Sequence, residues 1–269
     1  MNAAAGVVPI GWLELALATG FILATGALSL RLGLRLEKDL AIAAARTYAQ
    51  LLALGFVLRW VFDVNAWWLV VGLLALMVAA AARVILKRAP DAPKGLFGTS
   101  AFAVALTGFT VTFAVTGLVV RVQPWYDARY VIPIGGMVLG NSMTGIALAI
   151  ERTFADLDAR AEEMLALTAL GATRWEAAAP SVRAALRAGL IPTIAAMSAA
   201  GIVFIPGMMT GQILAGADPL EATKYQIVVM LMVSAATAIG AVTAVMLSYG
   251  RRFTADGVYL EKGFREDAR

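Results

Sequence analysis

With no histidine and no cysteine in the chain, chemistry must come from carboxylates, amides, hydroxyls, thioethers and a few cations. That excludes a Cys/His zinc site, a disulfide framework and a thiol or imidazole nucleophile. The apolar runs hold no paired carboxylates for acid–base work, which argues against a membrane hydrolase. Three groups of residues remain. Arg46 and Gln50 stand at i and i+4, so a helix presents both on one face. Asn141 and Met143 lie in Gly140-Asn141-Ser142-Met143, after Pro133-Ile134-Gly135-Gly136. The third group is Pro206-Gly207-Met208-Met209-Thr210-Gly211-Gln212, which sets two thioethers and an amide beside a proline and two glycines. Thioethers suit soft ions such as Cu(I), whereas iron or aluminium takes oxygen ligands, which are scarce here. Each group has a packing account beside the pathway one. Arg46 is close enough to the headgroups to snorkel. Asn141 can hydrogen-bond across helices from a small-residue face. Methionine fills irregular gaps. Pro206 removes a backbone donor and predicts a hinge beside the pathway.

These residues need elements to hold them. The chain is 61% hydrophobic and 15% charged, with a mean hydropathy of +0.80. A soluble domain is nearer 45–50% apolar and about 25% charged. The apolar residues form runs of about 20, long enough to cross a bilayer. The expectation is an all-α, polytopic transmembrane bundle of about seven spans, forming one domain over residues 1–269. The spans fall at 10–32, 40–62, 67–86, 96–120, 130–150, 190–214 and 225–249, the sixth broken by glycines and Pro206. The first lacks a basic run before it, so it reads as a span and not as a signal peptide.

Basic residues crowd alternate links. Arg31, Arg35 and Lys38 follow the first span, and Lys87, Arg88 and Lys94 the third. Arg152, Arg160, Arg174, Arg183 and Arg187 follow the fifth, and Arg251, Arg252, Lys262, Arg265 and Arg269 the seventh. The other links hold only Arg121, Arg129 and Lys224. The positive-inside rule then puts the N-terminus outside and the C-terminus in the cytoplasm. Trp12, Trp60, Trp67, Trp68 and Trp125 fall near outer span ends, where amphipathic rings prefer to sit.

The longest link, 151–189, is dense in charge and rich in Ala and Leu. It predicts two helices joined at Leu170-Gly171-Ala172-Thr173. Gly171 would end the first in a left-handed conformation and Thr173 would cap the second. One reading is an interfacial hairpin with no partner. The other is a docking element that carries a soluble partner's motion to two spans.

The stretch Leu170-Gly171-Ala172-Thr173, preceded by Glu163 and Leu167, resembles the coupling-helix loop of ABC transporter permeases. The distance from Glu163 to Gly171 is longer than in the importer motif, and the Leu-Pro ending is displaced to Ile191-Pro192. A wider resemblance covers nearly the whole chain. It rests on Leu36-Glu37-Lys38-Asp39 with Arg46 and Gln50, on Ile132 to Met137 with Gly140 to Met143, and on Leu170 to Thr173. It continues through Arg183-Ala184-Ala185-Leu186-Arg187 and Pro206 to Gly211, then Ala215 to Pro219 and Lys224-Tyr225-Gln226. On these stretches the chain is similar to the FetB-type permease family of metal-export ABC permeases, which has relatives in plant aluminium tolerance. The resemblance implies a permease subunit in a bacterial inner membrane. It implies export of metal ions or a metal-linked small solute, two permease copies per transporter, and a separate cytoplasmic ATPase binding ATP and Mg. It gives Glu163, Leu167, Leu170, Gly171, Ala172 and Thr173 the ATPase-coupling role. The chain itself holds no Gly-x-x-x-x-Gly-Lys-Ser/Thr loop, so it is expected to carry no cofactor and to hydrolyse no ATP. Lipid is its other partner, and nucleic acid is not expected to be one. The competing class is a stand-alone secondary carrier or channel, which would need no ATPase.

Overall fold

The computed structural model describes residues 8–90, 92–93 and 95–260. Lys94, Lys262, Arg265 and Arg269, counted above for orientation, lie outside the described residues. Nine α-helices occur among the described residues: α1 Trp12–Leu32, α2 Glu37–Val64, α3 Trp67–Arg88, α4 Phe97–Ala114, α5 Ala128–Ala159, α6 Ala161–Ala169, α7 Arg174–Ala199, α8 Gly207–Leu214 and α9 Pro219–Ser248. A π-helical turn, Val115–Val119, extends α4, and a 3-10 turn, Tyr249–Arg252, ends α9. Helix is the expected form because hydrocarbon offers no partners to an unpaired backbone. Local signals set the ends. Gly33 closes α1 at φ +64, and Asp127 and Asp218 cap α5 and α9 through side-chain oxygens.

Six helices are long and apolar enough to cross a membrane: α1, α2, α3, α4 with its π turn, α5 and α9. The expected sixth span, at 190–214, is broken as its glycines and Pro206 suggested, but its helices do not keep the expected bounds. Its first part belongs to α7, which begins 16 residues earlier at Arg174 and carries Arg183 and Arg187. The helix stops at Ala199, and residues 200–206 form a tight non-helical turn with Gly201 at φ +80. The chain resumes as α8 after Pro206, whose ring cannot continue the preceding helix. The long link 151–189 changes accordingly, since its ends are continuations of α5 and α7.

Contacts fix the direction of each pass. A Cβ placed on Gly240 of α9 would lie 2.5 Å from Ile146 of α5, and one on Gly145 would strike Thr237, so these helices run parallel. Gly145 faces Gly189 of α7, and Arg160 beyond the end of α5 bonds Ser181 nearer the start of α7, so that pair is antiparallel. Leu74 of α3 meets Gly135, and Gly108 of α4 meets Leu139. Asn65, which ends α2, accepts a hydrogen bond from the Ala128 N–H at the start of α5. Tyr48 of α2 donates to the Leu15 carbonyl of α1. The two ends of the described chain therefore lie at opposite ends of the bundle. Six continuous passes plus the α7–α8 pass achieve this. The basic links, with Arg31, Arg35, Lys38, Lys87, Arg88, Arg152, Arg160, Arg174, Arg251 and Arg252, gather at one end.

The core sits around α5, which packs against α3, α4, α7 and α9. Ile146, Ile150, Phe154 and Leu157 of α5 are buried, with Ile85 of α3 and Val245 of α9. The α1–α2 hairpin is different: among its residues only Ser29 and Val61 are buried.

Candidate functional site

Two regions bring candidate residues together. The first is a cavity of about 440 Å³ where α7 breaks. Its walls come from α5, α7, the turn before α8, α8 and α9, through Asn141, Pro192, Phe204, Pro206, Met208 and Gln226 among others. Irregular backbone at bilayer depth is tolerated where it lines a cavity, and the turn at 200–206 contributes Phe204 and Pro206 to this one. Met137 marks its edge nearest the start of α5, nine residues from Ala128, or roughly 14 Å along the helix at about 1.5 Å per residue.

Of the sequence candidates, the cavity collects Asn141, Pro206, Gly207 and Met208. The Asn141 amide donates to the Met137 carbonyl of its own helix at 2.7 Å, and the side chain is exposed rather than bonded across helices. Met143 instead packs against the buried core, and Met209 accepts a long contact from the Thr223 hydroxyl at 3.9 Å. The Gln212 Oε1 is buried without a hydrogen-bond partner but is not part of the cavity wall. Arg46 and Gln50 are exposed on α2 and away from the cavity. Sequence reasoning missed Met137, Met197, Met230 and Gln226. Met137 and Gln226 fell in stretches of the family resemblance, but a glutamine or methionine inside an apolar run does not say which face it occupies.

The second region is the turn between α6 and α7 at the basic end. Met164 is fully buried and anchors α6, and Leu167 packs partly into the same core. Gly171 takes φ +91, where a Cβ would be strained, and its N–H bonds the Thr168 carbonyl while the Ala172 N–H bonds that of Leu167. Thr173 then forms a capping box: its hydroxyl accepts from the Glu176 N–H and the Glu176 carboxylate accepts from the Thr173 N–H at 2.8 Å. This geometry leaves Leu170 at the tip, 85% exposed, the most exposed large apolar side chain on the basic end's turn. Glu163 is exposed but paired within its own loop. The Arg160 guanidinium donates to both its oxygens, at 2.9 and 2.5 Å, and to Ser181 Oγ at 2.8 Å.

The C-terminal segment frames this turn. Arg252 pairs with Asp158 at 2.7 Å, with its side chain only 10% exposed, and Tyr259 donates to the other oxygen of Asp158. Phe253 and Tyr259 are buried against each other, and Arg174 donates to the Ala255 carbonyl. Asp256 and Gly257 thereby form a shallow groove with Ala172, Thr173 and Trp175.

Hydrogen bonding from Arg160 holds the Glu163 carboxyl below its ordinary pKa, and the Thr173 backbone and hydroxyl do the same for Glu176. Each group thus stabilises the loop when ionised. That contribution is complete above the ordinary carboxylate range and is lost as pH falls through the lowered values. Amide exchange over residues 160–177, corrected for intrinsic rates, is expected to speed up below that range. Thr173→Ala is expected to raise exchange at the start of α7 even at neutral pH, because losing an N-cap costs about 1 kcal/mol. Exchange at that site unchanged by the substitution would mean the box does not hold the turn.

Comparison with known proteins adds a frame. A model of the uncharacterised protein family UPF0014 matches residues 12–253. The UPF0014 membrane protein slr1647 of Synechocystis is 36% identical over 250 residues, 92% of this chain and 95% of its own. Protein ALUMINUM SENSITIVE 3 of Arabidopsis thaliana is 33% identical over 245 residues, 91% and 88% of the two chains. The protein named "Probable iron export permease protein FetB" of Escherichia coli is 33% identical over 240 residues, 89% and 91%. No solved structure matches.

Proposed function

The chain belongs to the UPF0014 family of membrane proteins, and from that membership and the shape of its basic end we propose that it is the permease subunit of an ATP-driven exporter. Its cargo is a metal ion or a metal-linked small solute, in line with the iron-export name of the Escherichia coli relative. A separate cytoplasmic ABC ATPase binds ATP and Mg and docks at the α6–α7 turn. The observation that carries this reading is Leu170: a bare apolar knob on a rigid, capped turn, at the end where the positive charge collects. The positive-inside rule makes that end cytoplasmic and so puts the N-terminus outside. It is the end a soluble ATPase can reach. Motion delivered to the turn passes along α7 directly to the break at Ala199 and the cavity beside it, since α7 is one helix throughout.

Two copies of the chain make up the transporter in this reading. The α1–α2 hairpin buries almost nothing within one chain, and its polar residues Arg46 and Gln50 stand exposed on α2. Polar groups in a bilayer normally face a cavity or a neighbouring helix.

Reconstitution of the chain in liposomes with the ATPase encoded by the same organism tests the proposal. ATP hydrolysis is expected to rise when the permease is present and to rise again when a transported metal is added. Transport by the chain alone, without ATP, would instead make it a secondary carrier or channel.

A further inference from the structure

The cavity beside the break in α7 is lined in a way that a hard metal ion does not call for. Four methionines border it, each from a different element: Met137 of α5, Met197 of α7, Met208 of α8 and Met230 of α9. The chain has 11 methionines, so a large share meets at one place. Gap-filling methionines close the irregular spaces they occupy. Met137 and Met208 also pack against the core of α4, α5 and α9, yet all four methionines border a space of about 440 Å³ that stays open. Gln226 lines the same space, is only 8% exposed, and its Oε1 has no hydrogen-bond partner. No carboxylate lines the cavity, and among the described residues no cluster of three or more His, Cys, Asp or Glu could hold a metal elsewhere.

We propose that this cavity is a binding site for a soft monovalent cation of the Cu(I) or Ag(I) class, held by the thioethers of Met137, Met197, Met208 and Met230. Thioethers are neutral, soft donors, and they select ions of low charge that tolerate sulfur. A divalent or trivalent hard ion brings a larger desolvation cost and needs anionic oxygen to offset it, which the wall does not supply. The cavity is larger than a bare ion, so the ion enters with part of its own ligand shell. Binding stands on the cavity alone; that the bound ion is cargo rests on the exporter reading above.

Silver is the probe, because Ag(I) is stable in air. The purified full-length chain in nanodiscs, in chloride-free nitrate buffer, is titrated with Ag(I) by calorimetry. One saturable site is expected. Met208→Leu and Met230→Leu preserve side-chain volume and remove only the sulfur, and each is expected to weaken binding about tenfold, the double variant about a hundredfold. Met246→Leu, outside the cavity wall, is expected to leave binding unchanged. X-ray absorption at the silver edge of the wild-type complex reads the neighbours without any variant, and sulfur is expected in the first shell. Absence of saturable binding, affinity unmoved by both leucine variants, or a shell of oxygen and nitrogen only would each overturn the site. Silver binding with no effect on ATP hydrolysis in the reconstituted pair would keep the site and remove its role as cargo. ATP-coupled transport of other metals without silver binding would remove the site and keep the exporter.

Discussion

Leu170→Asp is expected to abolish stable association with the ATPase while leaving the permease folded. The side chain is 85% exposed on a turn, so within the chain it buries little and its loss costs little. At an interface the account reverses. An apolar knob entering a pocket on the partner contributes about 2 kcal/mol by burial. A carboxylate forced into the same pocket adds its own desolvation cost. Together these exceed the loss of at least 2 kcal/mol seen at typical hot spots, so affinity should fall by about a hundredfold or more. Co-purification and ATPase stimulation should vanish together, with the melting temperature of the permease unchanged. Gly171→Ala provides an independent check on shape. It leaves Leu170 in place but strains a residue at φ +91, and is expected to weaken association without the full loss. If Leu170→Asp still bound and stimulated the ATPase as well as wild type, docking at this turn would be wrong.

The bilayer made much of this fold legible. Hydrocarbon demands runs of about 20 apolar residues, so α1 to α5 and α9 are visible in the sequence, with errors only at their ends. The turn was legible for a different reason: Gly171 and Thr173 each have one job that few other residue types can do, and both do it. The start of α7 at Arg174 was legible from its Thr173 cap, but its continuation past residue 189 into the next span was not, because Arg183 and Arg187 placed that stretch in a link. Charge says where the membrane stops, not where a helix stops, and α7 runs through that boundary unbroken. Pro206 announced a break, yet the disruption extends back to Ala200. The cavity was the least legible part. Its methionines lie on four elements and at no common spacing, so only packing brings them together. The pairing of Glu163 with Arg160, three residues away, was legible from their spacing but was not drawn from it.

Gly189→Val is expected to be the most damaging single substitution in the bundle, and it separates packing glycines from pathway ones. Gly189 of α7 and Gly145 of α5 approach so closely that a Cβ on Gly189 would lie 2.7 Å from the Gly145 carbonyl oxygen and 2.9 Å from the Ala149 Cβ. The reciprocal Cβ on Gly145 would lie 2.8 Å from the Gly189 carbonyl. Backbone cannot rotate aside as a side chain can, so α7 must move off α5. Overpacking of this kind costs 1–3 kcal/mol or more, and two branched methyl groups against backbone put it at or beyond about 3 kcal/mol. The melting temperature in detergent should fall by roughly 10 °C. Gly140 of α5 lies one turn or so away and borders the cavity, yet a Cβ there would meet nothing within 4 Å. Gly140→Ala should keep or raise the melting temperature, since alanine is favoured over glycine in a helix by about 1 kcal/mol. Any effect it has should appear in transport alone, through a narrower cavity wall. Equal melting temperatures for the two variants would show that α5 and α7 are not in close contact, and with that the direct path from the α6–α7 turn to the cavity would fail.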